Sequence, residues 1–283
     1  GPRYRRAPRG KSRACRLAYA WCMGIIWSVQ GPVHERCMNT ERVEALVVGG
    51  GPAGLAAAEA LAAAGMAPVV VEAKPTLARK FLMAGKSGLN LTKDEPLAAF
   101  LAAYGEAAGR LAPMVEAFGP AAVRAWAEGL ETPVFTGSSG RVFPREMKGS
   151  PLLRRWIARL GAAEMRTRWR WTGWAGEGRA LAFDTPCGPR AVEARVVVLA
   201  LGGASWPRLG SDAAWVAWLA ARGVKIAPFR PANVGFSVPW SKHFRSRFAG
   251  HPVKPVGLAA GGQRVSGEFV VTARGIEGSA VYA

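Results

Sequence analysis

The apolar positions of residues 46–72, LVVGGGPAGLAAAEALAAAGMAPVVVE, sort into strand, helix and strand. Leu46-Val47-Val48 is a run of consecutive aliphatic residues, the pattern of a strand buried on both faces. It leads into Gly49-x-Gly51-x-x-Gly54. An alanine-rich stretch follows, and it predicts a helix that stops at Gly65. Val69-Val70-Val71 predicts a second buried strand, closed by Glu72. Further on, Leu97, Phe100, Leu101 and Tyr104 recur at three-and-four spacing. Residues 96–130 therefore predict helix, broken into short pieces at Pro113 and at Gly119-Pro120. Residues 131–149 read as a turn-rich segment with strand-like pieces. Ser150-Pro151 predicts a helix through Leu160, with serine at the N-cap and proline in the first position. Residues 164–200 predict strands. Within them Arg168-Trp169-Arg170-Trp171 reads as a strand with tryptophans packed on one face and arginines in water. The alternative is a stacking surface for nucleic acid. Val196–Leu201 predicts a buried strand ending on Gly202-Gly203, and Ser211 or Asp212 predicts the cap of a helix ending at Gly223. Beyond Ile226, alternation and frequent Pro and Gly predict a separate β-rich domain.

The order strand, glycine turn, helix, strand, carboxylate is what a dinucleotide needs. Gly49 permits a tight turn. Gly51, followed by Pro52 and Ala53, leaves room for a pyrophosphate to approach the backbone. Gly54 lets the helix pack against the strands. Free N–H groups at the helix N-terminus, with its partial positive charge, suit phosphates. Glu72, 18 residues beyond Gly54, can accept hydrogen bonds from ribose hydroxyls, and its charge disfavours a 2′-phosphate. A glycine turn in some other α/β protein is the bland alternative. NAD and FAD share this geometry, so the turn alone leaves the choice between them open.

Composition changes the picture in two places. The chain has 283 residues, half of them hydrophobic, and a formal net charge of +19. Residues 1–37 hold eight Lys or Arg against one acid, so +7 is local and +12 is spread over the body. A solvated basic surface is the expected meaning, with a nucleic-acid partner as the weaker reading. No run of 18 apolar residues occurs, so no membrane span is expected. The four cysteines (Cys15, Cys22, Cys37, Cys187) show no CxxC or metal-ligand spacing, and the histidines (His34, His243, His251) are dispersed. No metal site and no redox-active cysteine pair are expected. His243 and His251 are more readily surface or packing residues than acid–base groups.

Residues 1–37 read as a leader without a fold of its own. Met38 is taken as the natural start, because it stands eight residues before Leu46. Residues 38–228 are assigned to a dinucleotide-binding domain and 229–283 to a partial β-barrel-like domain. A cytoplasmic location is expected for a protein whose cofactor is loaded there.

Four stretches carry a family resemblance: GGGPAG, ARKFLMAGKSGLNLT, TGSSGRVFPREMKGSPLL and VVVLALGGASWPRLGSDAAW. Over about Arg42 to Ala283 the chain resembles the two-domain FAD-dependent oxidoreductases that include proteins similar to aminoacetone oxidase and to a bile-acid reductase, and within them a bacterial subgroup. The resemblance implies an α/β fold with a Rossmann-like FAD-binding domain of the glutathione-reductase type and a partial second β-rich domain. It implies FAD in extended form. Gly49, Gly51 and Gly54 would face the pyrophosphate, with Pro52 and Ala53 in the same turn, and Glu72 the adenosine ribose. Lys80, Gly85 and Asn90 would line the flavin side. Arg168–Trp169 would pass near the adenine, and Gly202-Gly203 would close over the cofactor. In many relatives an arginine–cysteine pair precedes the asparagine; here Gly88-Leu89 stands there, so chemistry assigned to that cysteine does not carry over. The last residues resemble the middle of the family's β domain, so the chain is expected to be C-terminally truncated, with a pocket open on one side and weak FAD binding.

The expected function is hydride transfer between a small organic substrate and an acceptor, NAD(P)H or oxygen, with no catalytic residue assigned. An RNA-associated flavoprotein and a catalytically incomplete flavoprotein fragment are the alternatives. Salt-sensitive RNA retention would favour the first of these, and a spectrum without flavin peaks after FAD is supplied would favour the second.

Overall fold

The structure is a computed structural model that describes residues 40–84, 88–231 and 233–282. The expected leader at 1–37 and the candidate Gly85 lie outside the described residues. The chain divides into two compact units after Arg222.

The first unit is an α/β domain of Rossmann type. Strand β1 (Thr40–Val48) leads through helix α1 (Pro52–Ala63) to β2 (Pro68–Glu72), and the strands pair in parallel with Leu46 opposite Val69. The short α2 (Arg79–Ala84) and β3 (Thr92–Lys93) follow, then α3 (Leu97–Ala102), α4 (Ala108–Ala117) and α5 (Pro120–Glu128). Strands β4 (Val134–Thr136) and β5 (Arg141–Pro144) join β3 in a three-stranded sheet. Helix α6 (Gly149–Arg159) precedes β6 (Glu164–Thr167), β7 (Arg170–Trp174), β8 (Leu181–Thr185) and β9 (Gly188–Leu199), and α7 (Trp215–Ala221) closes the unit. The main sheet runs β6-β2-β1-β9-β8-β7. Its first four strands are parallel, and β8 and β7 are antiparallel additions.

The consecutive aliphatics of β1 are explained by burial on both sides. Val47 joins Val70, Leu55, Ala58, Leu152 and Trp156 under α1 and α6. Leu46 and Val48 join Val71, Trp171, Phe183 and Val192 on the opposite face. Successive strand residues point to opposite faces, so a sheet covered twice needs no polar positions in the strand.

Four expectations are corrected. Pro113 lies inside α4 rather than ending a helix. Its missing N–H leaves the Gly109 carbonyl unpaired in the helix, and both residues are exposed, so water can take that carbonyl. Ser150 is not an N-cap: α6 begins at Gly149 after an extended Lys148. Gly149 is buried against the Phe81 ring, which an added Cβ would meet at 3.4 Å. Pro151 still falls in the first turn, where no N–H is needed. The strand expected at Val196–Leu201 starts earlier, at Gly188, and its end is not fully buried, with Val197 37% exposed. Strand β8 accompanies β9 only as far as Val192, so beyond it β9 has β1 on one side alone. Helix α7 begins at Trp215 with no side-chain cap; Asp212 instead accepts from the Ala214 N–H just before it.

The second unit, Gly223–Ala283, holds β10 (Phe236–Ser237), α8 (Lys242–Phe248), β11 (Pro252–Ala260), β12 (Gln263–Thr272), β13 (Gly275–Glu277) and α9 (Ser279–Tyr282). Its strands form an antiparallel sheet ordered β10-β13-β12-β11. His243 and His251 are exposed residues of this unit. Among the described residues no helix is long and apolar enough to cross a membrane, and no cluster of His, Cys, Asp or Glu could hold a metal ion.

Candidate functional site

A cavity of about 1050 Å³ lies at the carboxyl ends of β1, β2 and β9, where open parallel sheets place their ligands. Val48 and Gly49 come from the first strand end, Glu72 and Lys74 from the second, and Ala200 to Gly203 from the third.

The three glycines have different duties. Gly49 has φ +113, which side-chain-bearing residues rarely adopt, and a Cβ there would meet the Ala200 carbonyl oxygen at 2.3 Å. Gly54 is buried beneath the turn, and its Cβ would stand 1.8 Å from the Gly49 oxygen. It supports the turn and does not line the cavity. Gly51 differs from both: it lines the cavity and its Cβ would meet nothing within 4 Å. Its backbone is extended, at φ −82 and ψ −176, so glycine is not needed there for conformation. It leaves space at the N-terminus of α1, where the first N–H groups lack helical partners. Pro52 and Ala53 line the same mouth.

Glu72 is tied to the turn. One carboxylate oxygen accepts from the Gly50 N–H at 2.9 Å and the other from the Lys74 N–H at 2.7 Å. Each oxygen keeps acceptor capacity for a further donor, such as a ribose hydroxyl. The Trp169 N–H donates to the Glu72 carbonyl at 2.9 Å, which brings that indole to the same end of the cavity. Arg168 breaks the expected continuous strand: at φ +63 it separates β6 from β7. Trp171 is buried beyond it, while Arg168 and Arg170 are exposed. The Arg166 guanidinium sits 4.8 Å over the Trp169 ring. Hydrogen bonds to Glu41 and Glu164 hold Arg166 in place and raise its pKa, and the same bond from Arg166 lowers that of Glu41.

Lys80, Asn90, Gly202 and Gly203 also line the cavity. Lys80 donates to the Ser205 hydroxyl, which lies 3.5 Å from that of Ser211. The buried Ser211 accepts from the Gly203 N–H at 3.2 Å. These contacts link α2 to the turn after β9.

Sequence reasoning missed two features. Glu59, midway along α1, accepts from the indole N–H groups of Trp126 (3.2 Å) and Trp156 (2.8 Å) and pairs with Arg159 at 2.6 Å. Those partners are 67 to 100 residues away, so no local pattern announces them. The second is charge. Lys74, Arg79, Lys80 and Arg170 line the cavity, and among the described residues none pairs with a carboxylate. The lining acids are engaged: Glu59 by Arg159, and Glu72 and Asp212 by backbone N–H groups. Four basic side chains thus face three acidic ones around the cavity.

A family model described as the HI0933-like protein Rossmann domain matches residues 43–281. Curated proteins give no match. Among solved structures, the chain is similar to the open conformation of a flavocytochrome c3 fumarate reductase, at 22% identity and TM-score 0.45 over 58% of this chain and 34% of that one. It is also similar to THI4 of Thermovibrio ammonificans, at 16% identity and TM-score 0.42 over 65% and 64%. A third is a 3-ketosteroid dehydrogenase from Rhodococcus jostii, at 17% identity and TM-score 0.38 over 58% and 46%. Each of these likenesses is distant, and the chain spans between one third and two thirds of these structures' lengths.

Proposed function

The chain belongs to the HI0933-like Rossmann-domain family, and from that premise we propose that its cavity binds FAD and that the protein is a flavin-dependent oxidoreductase. One observation carries the reading. At Gly51 the mouth of a βαβ unit is open to the cavity, with a turn-bound carboxylate, Glu72, at the next strand end. The residues present fit a dinucleotide: amides and a helix N-terminus for the phosphates, Glu72 for the ribose, and Trp169 beside it for the adenine. A cavity of about 1050 Å³ is at the upper end of the usual range for small-molecule sites, as an extended ligand requires.

When bound, the flavin would supply two-electron chemistry between a small organic substrate and a second redox partner, NAD(P)H as hydride donor or oxygen as acceptor. This chain's residues bind and orient. Lys80, Asn90 and Gly202-Gly203 are assigned to the flavin side on the strength of the resemblance to aminoacetone-oxidase-like and bile-acid-reductase-like flavoproteins. Residues 38–228 make up the cofactor domain in this reading, and 229–283 contribute to a second, β-rich one. The cytoplasm, where FAD is loaded, is the proposed compartment.

The test is to titrate FAD into the purified chain, follow binding at equilibrium by flavin fluorescence and dialysis, and identify the bound ligand by mass spectrometry. The expected result is released FAD with intact AMP and flavin halves. A protein that retains no flavin at saturating FAD refutes the proposal.

A further inference from the structure

We propose that Arg166 is a positioning residue for the adenine end of the bound dinucleotide: packed on Trp169 from outside the main cavity, it fixes the indole that faces the base. This rests on the reading of the cavity as an FAD site and adds to it a residue that does not itself line that cavity. The guanidinium is gripped on two edges. Nη1 and Nη2 donate to the two carboxylate oxygens of Glu41, both at 2.7 Å. Nε and Nη2 donate to those of Glu164 at 2.8 and 3.0 Å. With both edges of the plane engaged the group cannot turn, and what it offers the rest of the protein is its flat face. That face lies over the Trp169 ring, 4.8 Å from its centre, where the ring's electron-rich surface attracts a cation. The Arg166 side chain is only 13% exposed, so little water competes for the contact.

Trp169 needs such a contact to hold its orientation. It stands in the break between β6 and β7, and its backbone N–H, bonded to the Glu72 carbonyl at 2.9 Å, fixes where the residue sits but not which way the ring turns. Among the described residues its indole N–H has no acceptor, whereas those of Trp126, Trp156, Trp171 and Trp240 each have one. The ring is therefore held by its neighbours' surfaces: Arg166, and Phe183 at 5.8 Å and 51°. It lines the main cavity and also a smaller one of about 660 Å³ that contains Arg166, Glu41 and Glu164. Without Arg166 the indole has that second space to swing into. A base that stacks on a loose ring must order it on binding, and the ordering weakens affinity.

The experiment titrates FAD, ADP and flavin mononucleotide calorimetrically into wild type, Arg166→Met, Arg166→Lys, Trp169→Leu and the double variant Arg166→Met/Trp169→Leu. Arg166→Met should bind FAD and ADP roughly threefold to thirtyfold more weakly, the range of a partly desolvated cation–π contact. Flavin mononucleotide, which has no adenine, should bind both proteins alike. In the Trp169→Leu background the Arg166 substitution should change ADP affinity by less than about twofold, because the ring it acts through is gone. Arg166→Lys keeps a charge but cannot grip both carboxylates as a fork does, and should fall between wild type and Arg166→Met. Unchanged ADP affinity in Arg166→Met overturns the proposal. So does an equal loss for all three ligands, or the same ADP loss with and without Trp169, since either marks Arg166 as a cross-link between β1 and β6 and nothing more. Wild type that binds neither FAD nor ADP overturns the FAD reading, and the proposal with it. If Arg166→Met does not fold, Arg166→Lys carries the test: weaker ADP binding with unchanged flavin mononucleotide binding supports the proposal, and wild-type values for both overturn it.

Discussion

Replacing Gly51 by alanine separates the folding role of the glycine turn from its binding role. The substitution adds one methyl group. At φ −82 and ψ −176 the backbone accepts alanine without strain, and the new Cβ meets no protein atom within 4 Å. Restricting the unfolded chain favours the variant by about 0.4–1 kcal/mol. Gly51 is also the N-cap of α1, where alanine is worse than glycine by up to about 1 kcal/mol. The two effects cancel to within about 1 kcal/mol, so the ligand-free protein should melt almost as wild type does. Binding is another matter, because in the proposed FAD site the methyl would stand where a phosphate approaches the turn. Displacing the phosphate from two amides forfeits two charge-assisted hydrogen bonds, about 1.5–3 kcal/mol each. The sum, about 3–6 kcal/mol, is roughly two to four decades in Kd. Quenching of flavin fluorescence on titration, with melting of the ligand-free protein in parallel, measures both quantities. A Gly51→Ala protein that binds FAD within about threefold of wild type, against those decades, refutes the reasoning, since the phosphates would then lie elsewhere.

Gly54→Ala should do the opposite and destabilise the fold itself. Its Cβ would sit 1.8 Å from the Gly49 carbonyl oxygen, which is backbone and cannot rotate away; a loss of about 2–4 kcal/mol, or failure to accumulate, is expected from such overpacking, and urea unfolding reads it. Glu59→Leu leaves the Trp126 and Trp156 indoles and Arg159 without their shared acceptor. The expected loss is about 2–4 kcal/mol, mostly from the two unsatisfied N–H groups because Arg159 is partly exposed; Glu59→Gln, which keeps one acceptor oxygen, should lose less, and an equal loss from both variants would show that charge, not acceptance, matters. The pKa of Glu41 is lowered in the folded state, first by its hydrogen bond from Arg166. The stability it contributes is therefore present above the ordinary carboxylate pKa and is lost as pH falls through the lower folded value. The Glu41 side chain is 44% exposed, so the effect is expected to be under about 1 kcal/mol, seen as a shallower acid limb of the urea midpoint in Glu41→Gln; an unchanged acid limb would count against it.

What the amino-acid order determined was local. A strand, a glycine turn, a helix and a carboxylate at fixed spacing announce the βαβ corner of a Rossmann-type domain, because each requirement is met within 27 residues, 46–72. The unbroken aliphatic runs at Leu46–Val48 and Val69–Val71 announced strands covered on both faces, but the run at Val196–Leu201 is only partly covered. What local order could not decide was anything settled by chain segments far apart. Gly51 and Gly54 look equivalent in the motif, and only packing shows that one opens to the cavity while the other is sealed under Gly49. The adjacent residues Arg79 and Lys80 look interchangeable as cations, yet one has a buried, unpartnered nitrogen and the other reaches a serine 125 residues on. Pro113, Ser150 and the end of β9 departed from expectation for the same reason: solvent, a Phe81 ring and a neighbouring strand that stops at Leu181↔Val192 are not written in their immediate neighbours. Backbone preference and periodicity act over a few residues, whereas burial, charge pairing and open space for a ligand are properties of the assembled fold.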